Sequence, residues 1–161
     1  MFRRIGILLL ALAMIAANAL AEAEFAAVAD VNEAKELSAL YGRNIADAAA
    51  EVGGLSYKSG DEFDDNYEND CVALRGRGGA VALIELKAGK GPYALCGVRT
   101  GMARGDAMAL FTGYTLLWEY DEEVAFTIVE NKQDEIESLT LVIFFDEDGR
   151  VNGAWYRNAE A

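Results

Sequence analysis

Gly101-Met102-Ala103-Arg104-Gly105-Asp106-Ala107-Met108-Ala109-Leu110-Phe111 is a Gly-Met turn opening a short helix. From there to Tyr156 the chain has the period of an antiparallel meander. Ala103, Ala107, Leu110 and Phe111 fall on one side of that helix and form its apolar stripe. Behind it lie four strand-like runs: Thr115–Tyr120, Val124–Asn131, Glu137–Phe145 and Val151–Arg157. Asp121-Glu122-Glu123 and Asp146-Glu147-Asp148-Gly149 are the polar turns between them, and Asp-Gly between apolar runs is a strong hairpin signal. Leu139–Phe145 is apolar at successive positions, which predicts an interior strand covered on both faces. The fold class is therefore α+β, short helices packed on one face of an antiparallel β-meander.

Upstream, Gly42 to Val52 is a weaker copy of the same start. Gly42, Asp47, Ala48 and Ala50 fall on Gly101, Asp106, Ala107 and Ala109 at a constant shift of 59. Val72, Gly79 and Val81 fall on Val142, Gly149 and Val151 at a shift of 70. Two degenerate helix-plus-sheet repeats are implied, residues 42–98 and 101–157, within a single domain over 22–161. In the first, Ile45, Ala48, Ala49 and Val52 make a helical stripe capped by Asn44, with Asp47 three residues on and Gly53-Gly54 at its end. A preceding helix is expected from Asp30 to Tyr41, where Val31, Ala34, Leu37 and Tyr41 share a face. Cys71–Leu74 and Ala80–Leu86 form a hairpin through the turn Arg75-Gly76-Arg77-Gly78-Gly79, and Tyr93–Cys96 is a further short strand.

The first residues bear on compartment. Arg3 and Arg4 precede the apolar run Ile5–Ala17, and Ala19-Leu20-Ala21 offers a small-residue cleavage site. Residues 1–21 are therefore expected to be a signal peptide, cleaved after Ala21 or Ala23, and the product secreted or periplasmic with no stable membrane anchor. Cleavage leaves 12 basic and 27 acidic residues, a net charge of −15 against −13 for the whole chain. That balance disfavours nucleic acid and favours a basic partner. Two cysteines in an exported chain predict one disulfide, Cys71–Cys96.

Catalytic chemistry has few carriers. There is no histidine, which removes Ser-His and Cys-His pairs and the commonest metal ligand. None of the four serines sits in a nucleophile elbow. Six carboxylates lie between Asp61 and Asp70, but Phe63 interrupts the spacing of a calcium loop. No enzymatic activity, cofactor or metal is expected. What remains is a binding surface. Simple alternation puts Leu116, Trp118 and Tyr120 on one face of their strand and Leu117 and Glu119 on the other. Trp118, Tyr120 and Tyr156 are the candidate anchors for a protein partner, with Glu119 and Asp121 in an acidic rim that runs on to Glu123.

Gly101-Met102-x-x-x-Asp106, Trp118-x-Tyr120 and Phe145-Asp146-x-Asp148-Gly149-Arg150-Val151 resemble the β-lactamase-inhibitor-protein-like superfamily, which includes the SmpA/OmlA outer-membrane lipoproteins. The resemblance covers about residues 42–156. It implies a helix-turn-helix on an antiparallel sheet, sometimes as a tandem pair, whose exposed face binds protein. Two positions depart from it: Ala103 stands where a Ser or Thr cap is usual, and Thr112-Gly113-Tyr114 lacks the usual proline. The functional expectation is a non-enzymatic protein-binding module. The alternative is a small-ligand or glycan-binding domain, with a cation at Asp61–Asp70.

Overall fold

A computed structural model describes residues 34–59, 63–129 and 138–158. The expected signal peptide, Asp61, Glu62 and the start of the expected Glu137–Phe145 strand lie outside them. The described residues from Lys35 onward belong to one compact unit.

Ten strands and two α-helices succeed one another among the described residues as β1 (Lys35–Glu36), a 3-10 turn (Ser38–Leu40), α1 (Ile45–Val52), β2 (Ser56–Ser59), β3 (Asp65–Glu68), β4 (Val72–Arg77), β5 (Ala80–Leu86), β6 (Tyr93–Ala94), α2 (Arg104–Ala109), β7 (Thr115–Glu119), β8 (Glu123–Val129), β9 (Leu139–Phe145) and β10 (Val151–Asn158). Eight strands form one antiparallel sheet in the order β2-β3-β4-β5-β10-β9-β8-β7. It consists of two four-stranded meanders, each preceded by a helix and joined through their last strands, β5 and β10.

The shifts of 59 and 70 recur in the backbone. Gly42 N–H donates to Val81 O at 2.9 Å, and Gly101 N–H to Val151 O at 2.7 Å. Val81 N–H donates to Arg43 O and Val151 N–H to Met102 O, both at 2.8 Å. Ile45 N–H and Arg104 N–H, among the first donors of their helices, reach Gly79 O and Gly149 O at 3.1 and 2.9 Å. A helix start leaves such N–H groups without internal partners, and here the last hairpin of each meander supplies the acceptor. The turn residues Gly79 and Gly149 have φ of 78° and 69°, a region costly for residues with a Cβ. Repeated glycines therefore mark the points where each helix is fastened to its sheet.

The copies differ in capping. Asn44 Oδ1 accepts from Asp47 N–H at 3.1 Å, whereas Ala103 offers α2 no side-chain cap. Of the expected α2 stripe, Ala107 and Phe111 are buried, but Ala103 and Leu110 are exposed. The helix is short enough that only one side of its last turn reaches the sheet.

The core lies between the helices and one sheet face. Two rows cross the strands there by register: Val72, Leu86, Ala154, Ile143 and Val124, then Leu74, Ile84, Tyr156, Leu141 and Phe126. All ten are at most 5% exposed. Ile45 lies over Gly76, where a Cβ would stand 2.7 Å from its Cδ1, and Phe111 stacks on Phe126 at 4.8 Å.

The expected helix over Asp30–Tyr41 is not what residues 35–41 form. Lys35–Glu36 is a strand parallel to Tyr93–Ala94, followed by the 3-10 turn. The Glu36 carboxylate is the cause. Oε1 accepts from Ser38 N–H at 2.9 Å and from Cys96 N–H at 2.8 Å, and Oε2 accepts from Gly97 N–H at 2.9 Å. Burial alone would raise its pKa, but these N–H groups outweigh burial and hold the carboxyl below its usual range. Glu36→Ala is expected to cost about 1 kcal/mol, a modest figure because the group is only partly buried and solvent screens it. A depressed carboxyl stabilises the fold above its unfolded value and loses that contribution as pH falls through the folded one. Urea unfolding of Glu36→Gln should therefore show a shallower decline of stability with acid than the parent.

The expected disulfide is not formed: Cys71 and Cys96 are both free and half-buried. The Cys71 sulfur packs against the Gly89–Gly91 loop. Cys96 has a left-handed backbone, φ 52°, and its thiol is pushed up to about 12 by burial and then by Glu36. The two sulfurs have different surroundings.

Candidate functional site

The second sheet face carries no helix among the described residues. Register places one row of side chains across seven of its strands: Glu68, Ala73, Glu85, Trp155, Val142, Ala125 and Trp118. Beside it run Lys58, Asn66, Arg75, Leu83, Arg157, Thr140, Thr127 and Thr115. Trp155 and Trp118 stand three strands apart, roughly 14 Å at the usual spacing. Val142 and Ala125 between them are 4% and 0% exposed. The row thus carries large rings at Trp155 and Trp118, with small residues buried between them.

The rings are held in place. Phe144 meets Trp155 edge-on at 4.9 Å, and the Arg157 guanidinium lies 5.8 Å from the Trp155 ring. Trp118 Nε1–H donates to Glu123 Oε1 at 3.0 Å. On the first meander the face is ionic: Arg75 pairs with Glu85 and Lys87 with Glu68, each at 3.1 Å. Lys87 also donates to Asn69 O at 3.1 Å, and its hydrogen bond to Glu68 holds that carboxyl below the usual range. A cleft of about 510 Å³ opens at the strand ends beside Trp155, lined by Phe144, Glu85, Asp70, Lys87 and Asn152. Asn66 Oδ1 and Thr140 Oγ1, buried on this face, have no hydrogen-bond partner among the described residues, a costly state for a polar group.

Of the anchors expected from sequence, only Trp118 belongs to this face. A bulge between Leu116 and Trp118 breaks the alternation. Leu116 pairs with Phe126 on the helix side, and Trp118 pairs with Ala125 on the other. Tyr120 lies beyond the end of β7, 63% exposed. Tyr156 is core: 5% exposed, edge-on to Tyr41 at 5.7 Å, its hydroxyl pushed up to about 12 chiefly by burial. Glu119 belongs to the helix side, where Arg104 pairs with it at 3.0 Å. Arg104 also donates to the carbonyls of Tyr120 and Asp121 at 2.9 and 2.8 Å, and its guanidinium sits 4.5 Å from the Phe145 ring. Glu119 and Asp121 thus help to hold a turn together, and Arg104 was not recognisable as its clamp from spacing. In sequence, Trp155 and Tyr156, like Phe144 and Phe145, alternate to opposite faces of their strands, and alternation alone does not say which member faces outward.

Among the described residues no group of three or more acids or cysteines could hold a metal ion, and no helix is long and apolar enough to cross a membrane. No protein family, curated protein or solved structure matches this chain.

Proposed function

We propose that this chain is a non-enzymatic protein-binding module of the β-lactamase-inhibitor-protein-like kind, exported through its first 21 residues and docking a basic partner on the helix-free sheet face. The carrying observation is the row that sets two partly exposed tryptophans, Trp155 and Trp118, on the sheet face opposite the helices. Binding energy concentrates in aromatic anchors of this sort when a partner excludes water from them. The net charge of −13 steers basic surfaces toward the molecule. Two halves, each a helix followed by four strands, suit the tandem arrangement that the resemblance implies.

Affinity capture of envelope and culture-fluid proteins on the purified chain, read by mass spectrometry, tests this reading. A stoichiometric partner is expected, bound at least about 30-fold more weakly by Trp118→Ala/Trp155→Ala. Circular dichroism should show that variant still folded, since Trp155 is 37% exposed. A partner held equally well by the double variant would sink the proposal. The second reading, a glycan or other small ligand, is favoured by the cleft beside Trp155, where an aromatic face adjoins Asp70, Glu85 and Asn152. Glycan binding lost in Trp155→Ala, with no captured protein, selects it instead.

A further inference from the structure

We propose that the cleft beside Trp155 is a subsite for an arginine side chain of the partner, its guanidinium lying against the indole with Asp70 as counter-ion. The inference rests on the protein-binding reading and names the group that this part of the surface grips. The cleft lies where β10 carries no side chain. Gly153 stands two residues before Trp155, on the same sheet face, and is in register with Phe144. A Cβ built on it would stand 2.9 Å from Leu86 O, so β10 runs too close to the backbone of β5 there for a larger residue. Trp155 and Phe144, edge-on to each other at 4.9 Å, wall the resulting space of about 510 Å³.

The charges that line the cleft leave one carboxylate over. Lys87 is paired with Glu68 and Glu85 with Arg75, each at 3.1 Å. Asp70 is exposed and forms no ion pair among the described residues. Its main chain is fixed: Asn69 Oδ1 accepts from Cys71 N–H and Val72 N–H on one side of it, and Gly89 lies against its carbonyl. Little ordering is therefore left for a ligand to impose. An aromatic wall beside a carboxylate attracts cations, through the negative face of the ring and through the opposite charge. A guanidinium suits both, being flat enough to stack on an indole and forked enough to give a carboxylate two N–H groups. The chain sets its own guanidinium groups against rings in the same way, Arg104 at 4.5 Å from Phe145 and Arg77 at 5.4 Å from Phe63. Arg157 lies 5.8 Å from the Trp155 ring but does not line the cleft. A neutral sugar would also stack on Trp155, but it would leave Asp70 without a counter-charge.

Titration of the purified, isotope-labelled full chain with acetyl-arginine amide, followed by nuclear magnetic resonance, reads the result. The two tryptophans give two indole N–H signals, which Trp155→Phe assigns. A saturable shift of the Trp155 signal is expected, with dissociation at about millimolar concentration, while the Trp118 signal stays still. Acetyl-citrulline amide, the same shape without the charge, should bind at least about tenfold more weakly. Asp70→Asn should weaken the arginine amide at least about fivefold and, at an exposed position, leave the circular dichroism unchanged. An unmoved Trp155 signal overturns the proposal, as does equal binding of the citrulline amide or indifference to Asp70→Asn. Partner capture that depends on Trp118 and Trp155, in a chain that ignores arginine amide, overturns the subsite and leaves the docking face standing. Arginine amide bound at Trp155 through Asp70, with no protein captured, supports the subsite and counts against the docking face alone.

Discussion

Gly89→Ala is expected to destabilise the protein by about 3 kcal/mol or more, the largest effect of any single added methyl group here. A Cβ built on Gly89 would stand 2.2 Å from the carbonyl oxygen of Asp70, 2.8 Å from its carbon and 3.0 Å from the Cys71 sulfur. The nearest atoms are backbone, so no side-chain rotation relieves the contact. That backbone is itself fixed. Asn69 Oδ1 accepts from Cys71 N–H at 2.8 Å and Val72 N–H at 2.9 Å, and Lys87 N–H donates to Cys71 O at 2.8 Å. Relief requires either the Asn69 turn or the end of β5 to move, and β5 is one of the two strands that join the meanders.

Gly105→Ala serves as the control. Gly105 lies inside α2, and no atom stands within 4 Å of a Cβ built there. Removing a helical glycine from an exposed site should stabilise by about 0.5–1 kcal/mol. Urea unfolding midpoints of the two variants should therefore move in opposite directions. A Gly89→Ala protein as stable as the parent would mean that the loop after β5 is not held against Cys71.

Much of the fold was legible because it is written in local signals. Asp146-Glu147-Asp148-Gly149 marked the last hairpin, and Asp146 Oδ1 there accepts from Asp148 N–H at 3.0 Å and Arg150 N–H at 2.8 Å. The glycines at shifts of 59 and 70 marked the repeat because each occupies a backbone conformation its hairpin-to-helix contact needs. Three features left no such mark. Residues 35–41 have helical periodicity, but the partners of Glu36 lie some sixty residues away at Cys96 and Gly97. The bulge in β7 is one residue out of register, and alternation counted through it assigns Leu116 and Trp118 to the same face. The pairing of β5 with β10 places Trp155 mid-sheet, and that pairing joins two segments separated by an entire repeat. The candidate site depends on the last two, so of its residues sequence reasoning singled out Trp118 alone.

Neighbouring residues on β10 give the sharpest separation of stability from binding. Tyr156→Ala should cost about 3–5 kcal/mol, the usual range for truncating a buried aromatic, because it empties the space between Leu141, Ile84 and Tyr41. Trp155→Ala, one residue away on the opposite face, should cost about 1–2 kcal/mol, since its ring is already 37% exposed. On the proposed function, the Trp155 variant should lose partner capture while still folded, whereas the Tyr156 variant should fail by unfolding. Tyr156→Phe distinguishes packing from the hydroxyl. The raised Tyr156 hydroxyl stabilises the fold fully below its unfolded value near 10, and that contribution is lost as pH climbs toward about 12. Tyr156→Phe should therefore match the parent at neutral pH and resist alkali better. A Tyr156→Ala protein that unfolds at the parent's urea midpoint would return this residue to the surface, and would reverse the assignment of the two sheet faces on which the tryptophan row depends.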